Sequence, residues 1–375
     1  MTAGFGVYVH WPFCARICPY CDFNVHRDRG VDAARWSAAL VRELQYWAER
    51  TGGRRLMSLY FGGGTPSLAP LSTVDAVIAA CDRLWGFEAD PEITLEANPS
   101  GAELDRFAAF RNAGIGRLSL GVQSLDDAAL RFLGRDHDGA GALRAIDAAM
   151  AAFPRVTADF IYARPGQSID RWRDELSRAI ATGLRHLSLY QLTIESGTAF
   201  ARAVSKKRWA PADDDLAADL FDLTQEMTAA AGLPAYEISN HAAPGEESRH
   251  NRIYWRQGDY VGVGPGAHGR VTFGGKRFET ETEKAPAAYL RRVEAAGCGA
   301  VVNNPLTDEE ILAERLAMGL RTLEGARLSA DERAALANPI GDLSAQGLVA
   351  RRSDGIVATA DGRRILNRVL AALLA

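Results

Sequence analysis

Short apolar runs alternate with longer amphipathic stretches over the first two-thirds of the chain. Val7–His10, Leu56–Phe61, Glu92–Ala97, Arg117–Val122, Val156–Ile161 and His186–Leu192 read as strands. The stretches between them have helical period. In Asp32–Arg50, Trp36, Leu40, Leu44 and Trp47 recur three or four apart, and Gly52-Gly53 stop the pattern. Asp170–Thr182 repeats it with Trp172, Leu176, Ala179 and Ile180, and Asp213–Ala231 with Leu216, Leu220, Leu223 and Met227. Six βα units in succession imply a parallel sheet, open or curled into part of a barrel. Polar and glycine-rich residues follow the first five strands: the cysteines Cys14–Cys21, then Gly62–Pro66, Glu96–Pro99, Gly121–Ser124 and Ala163–Gln167. In a barrel those strand ends converge on one face, where sites are built. A doubly wound sheet gathers its site at one switch point instead. Five decorated strand ends favour the barrel.

Past Gly232 the alternation fails. Tyr236–Ser239 reads as a further strand, Ala242–Ser248 as a loop, and Gly258–Gly275 is too rich in glycine for a helix. Asn303-Asn304-Pro305 marks a boundary. Asp308–Leu320 is helical, Leu348–Val357 suggests a hairpin and Arg363–Leu374 a last helix, together a small α+β unit of winged-helix character. The expected division is 1–240 for the barrel, 241–302 for a connecting segment and 303–375 for the C-terminal domain.

Composition narrows the function. Of 375 residues 47% are apolar and 24% charged, ordinary globular usage, and 43 basic against 47 acidic residues leave a net charge of −4. That balance argues against a nucleic-acid binder. No apolar window approaches the ~18 residues of a spanning helix. Met1–Gly6 has neither the basic start nor the apolar core of a secretory signal, so a cytoplasmic location is expected.

Three of the five cysteines form Cys14-x3-Cys18-x2-Cys21 in the loop after the first strand. Cys81 sits among apolar residues at helical spacing and reads as core, and Cys298 has no evident partner. Three thiolates so close can wrap one metal centre with little loop-closure cost. Structural zinc wants four ligands in two pairs, and His26 is the near substitute for a fourth. A redox pair at Cys18-Pro19-Tyr20-Cys21 leaves Cys14 unused. A [4Fe–4S] cluster can take three cysteines and keep one iron open, which accounts best for the spacing.

Tyr8-x-His10-x-Pro12-Phe13-Cys14-x3-Cys18-x-Tyr20-Cys21 resembles the opening of radical S-adenosylmethionine (SAM) proteins, more narrowly the HemN/HemW family of oxygen-independent coproporphyrinogen III oxidases and haem chaperones. The resemblance covers essentially the whole chain. It implies a partial (β/α)6 TIM-like barrel followed by a small C-terminal domain. It also implies a [4Fe–4S] cluster on Cys14, Cys18 and Cys21, whose open iron binds SAM and whose electron cleaves the sulfonium bond to a 5′-deoxyadenosyl radical. By the same resemblance Tyr8, Tyr20, Gly63, Gly64, Thr65, Glu96, Gln123, Arg135 and Asp159 line the SAM pocket. Glu96 would accept from ribose hydroxyls, and Gly62–Gly64 would let backbone approach the cofactor.

Two departures and one segment select within the family. The oxidases usually carry a fourth cysteine where Phe23 stands here, so this is the chaperone-like form. Relatives commonly have Gly-Leu at Ala163-Arg164, and the missing glycine leaves that backbone less free. His250-Asn251-Arg252-Ile253-Tyr254-Trp255 resembles the family's H-N-R-x-Y-W haem segment. There His250 offers an imidazole to iron, Arg252 a cation to a propionate, and Tyr254 and Trp255 flat faces to the macrocycle, with Asn251 beside them. The expected function is a haem chaperone; the alternative is a coproporphyrinogen III oxidase, and a related methyltransferase leaves the hexapeptide unexplained. Expected partners are haem, a haem-accepting respiratory protein and an electron donor, with no nucleic acid, no transmembrane segment and at most peripheral membrane contact. Gly264-Pro265-Gly266-Ala267-His268-Gly269 matches a dinucleotide-loop spacing, but Arg270–Phe273 after it reads as a strand, so the motif is taken as structural. Lys206-Lys207-Arg208 is a small solvated basic patch.

Overall fold

The computed structural model describes residues 3–28 and 30–374; Met1 and Thr2, where the segment read for an export signal begins, Arg29 and Ala375 lie outside them. Six parallel strands, β1 (Phe5–Trp11), β2 (Leu56–Gly63), β3 (Phe87–Ala97), β4 (Arg117–Gln123), β5 (Arg155–Tyr162) and β6 (His186–Gln191), run in chain order through one sheet. Each crossover carries a helix. In Ala33–Thr51 the Asp32 side chain caps the start, and Trp36, Leu40, Leu44 and Trp47 are buried on one face. Ile169–Ala181 repeats the device with Ser168 as cap and Trp172 stacked 4.9 Å from Tyr162.

Alternation along the strands divides two environments. Leu95, Leu118, Leu120, Ala158, Phe160, Leu187 and Leu189 belong to the core under the helices, while Glu96, Ser119, Asp159 and Ser188 between them line the barrel interior. The register places these polar residues side by side: Glu96 pairs with Ser119 and Asp159 with Ser188.

The barrel is partial, because β1 and β6 do not pair with each other. β1 takes Asp259–Val263 as a second parallel neighbour, and β6 takes Asn240–Ala242 antiparallel. His268–Phe273, Lys276–Thr282 and Ala300–Pro305 extend the same sheet as antiparallel strands to eleven in all. The strand expected at Tyr236–Ser239 forms later, at Asn240–Ala242. Glu237 causes the delay: its carboxylate folds back to accept from Ser239 N (2.8 Å) and Asn240 Nδ2 (2.6 Å), making a turn where pairing was expected.

The C-terminal unit has its own core of Leu316, Leu320, Ile340, Leu343, Ile356 and Val369 around a three-stranded antiparallel sheet. Its first helix, Asp308–Gly319, carries a full capping box between Thr307 and Glu310. The last helix divides into Ala360–Arg364 and Leu366–Leu374, where Ile365 leaves helical backbone. Among the described residues no helix is long and apolar enough to cross a membrane.

Candidate functional site

One cavity of about 470 Å³ runs down the barrel axis from the C-terminal ends of the strands. Cys14, Cys18 and Cys21 stand on its wall at that end, all as free thiols. Their loop closes on itself through Phe13–Cys14 pairing with His26–Arg27, with His26 N donating to Pro12 O (2.7 Å) and Asp28 N to Cys14 O (3.0 Å). Thr65 Oγ1 donates to Cys14 Sγ (3.4 Å) and Arg135 Nη1 to Cys18 Sγ (3.3 Å). Burial raises the thiol pKa of Cys14, and that of Cys21 to about 11. His26, the candidate fourth zinc ligand, is not on the cavity wall.

Eight of the nine residues expected around SAM line this cavity: Tyr20, Gly63, Gly64, Thr65, Glu96, Gln123, Arg135 and Asp159. Tyr8 does not. Its ring stacks on Tyr60 and His250, and its hydroxyl lies 3.1 Å from His10 Nδ1. Glu96 accepts from Tyr60 Oη (2.9 Å) and Gly63 N (3.1 Å), and burial pushes its pKa up to about 7. Burial likewise raises Asp159 to about 6, against hydrogen bonds from Ser188 and Ser119. Gln123 closes β4 with a left-handed φ of 68°, a conformation uncommon outside glycine.

The three glycines also make room for the protein's own side chains and cysteine loop. A Cβ on Gly62 would lie 2.9 Å from the Tyr8 and Tyr60 rings, one on Gly63 2.7 Å from the His10 ring, and one on Gly64 2.9 Å from Phe13 O and 3.0 Å from Cys14 Sγ. The space is taken by the protein's own side chains and cysteine loop. Glycine there lets the end of β2 pack under that loop.

The residues fit the group the resemblance implies. Three thiols face one cavity beside the Arg135 cation, and Arg135 Nε is buried without a hydrogen-bond partner in the protein, a donor left over for an anionic group. Two buried carboxylates opposite add acceptors for hydroxyl or amino groups.

The hexapeptide forms a helix, Arg249–Trp255, capped by Ser248 and set across the far end of the barrel. Helical spacing separates its members. His250 is 1% exposed, with Nδ1 2.7 Å from Ser58 Oγ and Nε2 2.6 Å from the Tyr254 hydroxyl, and burial lowers its pKa to about 3. Both ring nitrogens are engaged, so the imidazole expected to meet haem iron is held inside the fold. Asn251 looks into the barrel cavity. Arg252 and Trp255 turn the other way and line a second pocket of about 240 Å³ with Tyr236, Arg256 and Leu323. The sequence reading missed Glu92, which joins the helix to the barrel, and Arg256, one turn after Arg252 at a spacing that could have revealed it.

Comparisons with known proteins agree on the family. The radical SAM superfamily profile matches residues 8–179. The mitochondrial "Radical S-adenosyl methionine domain-containing protein 1" of Bos taurus is 39% identical over 98% of this chain and 87% of its own. "Heme chaperone HemW" of Mycobacterium tuberculosis is 36% identical over 99% of this chain and 95% of its own. The solved structure of HemN, the Escherichia coli coproporphyrinogen III oxidase, superposes with a TM-score of 0.82 over 99% of this chain and 90% of that one, at 22% identity, a likeness of fold. With its three thiols at the mouth of a partial (β/α)6 barrel, the chain belongs to the HemN/HemW family of radical SAM proteins.

Proposed function

We propose that the chain is a cytoplasmic haem chaperone that holds a [4Fe–4S] cluster on Cys14, Cys18 and Cys21, binds SAM along the upper barrel wall, and docks haem on the hexapeptide helix for transfer to an acceptor protein. A reduced cluster with SAM bound supplies one-electron cleavage of the sulfonium bond. The chain's own residues bind and orient: Arg135 would pair with the SAM carboxylate, and Glu96 and Asp159 would accept from hydroxyl and amino groups.

The carrying observation is the groove between the hexapeptide helix and the C-terminal unit. It sets Arg252 and Arg256 on one helix face, beside the rings of Trp255 and Tyr236 and the half-exposed Leu323. Two guanidinium groups suit two propionates, and the rings suit a macrocycle edge. Arg252 pairs with Glu247 (3.2 Å) and Arg256 with Glu324 (2.5 Å), and such partly exposed pairs exchange cheaply for another carboxylate. In this reading His250 locks the helix in place, and ligation of iron by His250 would require its bonds to Ser58 and Tyr254 to open. An electron donor and a haem-accepting respiratory protein, met at the membrane periphery, complete the proposal.

Haem titration followed at the Soret band tests it in wild type, Arg252→Ala, Trp255→Ala and His250→Ala. Weakened binding in the first two variants is expected. If only His250→Ala loses haem, the iron sits on His250 and the outer groove is not the dock. Anaerobic incubation with coproporphyrinogen III, SAM and a strong reductant should give no vinyl product; multiple turnovers would favour the oxidase.

A further inference from the structure

The glycine motif with dinucleotide-loop spacing packs directly against the cysteine loop. Asn24, three residues beyond Cys21, reaches it with its carboxamide: Nδ2 donates to Pro265 O and to Lys284 O, both at 2.9 Å. Its own carbonyl accepts from His10 Nε2 (2.9 Å). With that proton on Nε2, His10 Nδ1 accepts from Tyr8 Oη at 3.1 Å, so one tautomer satisfies both bonds.

The turn leaves room for nothing else. Gly266 has φ +78°, and a Cβ on it would lie 2.6 Å from Asn24 Nδ2; Gly264 has φ +94°, and its Cβ would lie 2.2 Å from His10 O. Behind the turn stands Glu43, fully buried. It accepts from Gly264 N (3.2 Å), Tyr289 Oη (2.5 Å) and Gly299 N (2.6 Å), which ties the turn to helix Ala33–Thr51. Thr282 Oγ1 donates to Gly264 O at 2.5 Å and fixes it from the next strand.

We propose that Asn24 and the Gly264-Pro265-Gly266 turn form a clasp that positions the cysteine loop, with Asn24 as a positioning residue for the metal centre. Thr65 and Gly64 hold the loop at Cys14, and the clasp holds it just past Cys21. The spacing of the outer thiols is therefore set by two anchors on the barrel together with the loop's own closure through Phe13–Cys14 and His26–Arg27. The inference rests on the reading that Cys14, Cys18 and Cys21 carry the cluster.

The test uses the full chain, reconstituted anaerobically with iron and sulfide, as wild type, Asn24→Ala, Asn24→Asp and Gly266→Ala. Iron and sulfide content, the electron paramagnetic resonance spectrum of the reduced cluster and its loss rate to a chelator are read, with circular dichroism as the control for folding. Asn24→Ala should lose the cluster faster by roughly tenfold, the range for removing an outer-shell partner. Asn24→Asp should do worse, because a carboxylate facing two carbonyls donates to neither. Gly266→Ala should resemble Asn24→Ala, and combining the two should add little further. If wild type carries the cluster and all three variants carry it with unchanged spectrum and loss rate, the clasp is wrong. If wild type itself assembles no cluster, the reading beneath it fails instead.

Discussion

Glu92 and Arg117 form an ion pair at 2.9 Å in the floor of the barrel, with both side chains almost fully buried. The pair carries more than its own charges. The second oxygen of Glu92 accepts from Ser248 Oγ (3.2 Å), Arg249 N (2.8 Å) and His250 N (3.2 Å), the start of the hexapeptide helix. Arg117 continues to Glu246 O (2.9 Å) and Thr157 Oγ1 (3.2 Å). One carboxylate thus fastens the proposed haem helix to a cavity whose other end holds the cysteines.

Removing one partner should be costly. Glu92→Ala leaves Arg117 charged and unpaired in the interior, and the expected loss is ~3–5 kcal/mol of stability. Urea unfolding measures it. A change within 0.5 kcal/mol, the range of ordinary surface substitutions, would show that the floor does not depend on the pair.

Ala163 should respond in the opposite direction. It sits after β5 with φ 55°, in the left-handed region that favours glycine. Ala163→Gly should therefore stabilise by about 1 kcal/mol. A higher urea midpoint at unchanged slope checks it. Its neighbour Arg164 is buried, pairs with Glu175 and donates to Ser124 Oγ at 2.5 Å.

Much of this was legible in the chain before any coordinates. The six strands, their helices and the decorated strand ends follow from periodicity, because each strand buries one face under helices and turns the other into the cavity. The far side of the sheet was not, since its first strand, Asp259–Val263, pairs with β1 from the other end of the barrel sequence and the glycines around it blur the strand pattern. Glu92 and Glu43 could not be found from pattern either: a carboxylate in a strand or an amphipathic helix reads as solvated, and only long-range partners make it internal. His250 was visible as chemistry but not as location. The helix it belongs to turns it inward and Arg252 outward, and that division becomes clear only once the segment is known to be helical.

Acid should expose the burial of His250. Its folded pKa is near 3, below the ~6.5 of the unfolded chain. Between those values the unfolded state binds the extra proton, so the His250 contribution is complete above pH ~6.5 and fades as pH falls toward 3. Other buried groups titrate in the same range, so the informative quantity is the stability of wild type minus that of His250→Gln. That difference should shrink steadily as pH is lowered from 7 to 4. A difference independent of pH would mean that His250 is solvated.

The most direct test of the whole account is the metal content of protein isolated and kept without oxygen, in wild type and Cys14→Ser. Iron and acid-labile sulfide in equal amounts, about four of each per chain, are expected in wild type, with loss of both in the folded variant. Zinc in place of iron, without sulfide, would contradict it.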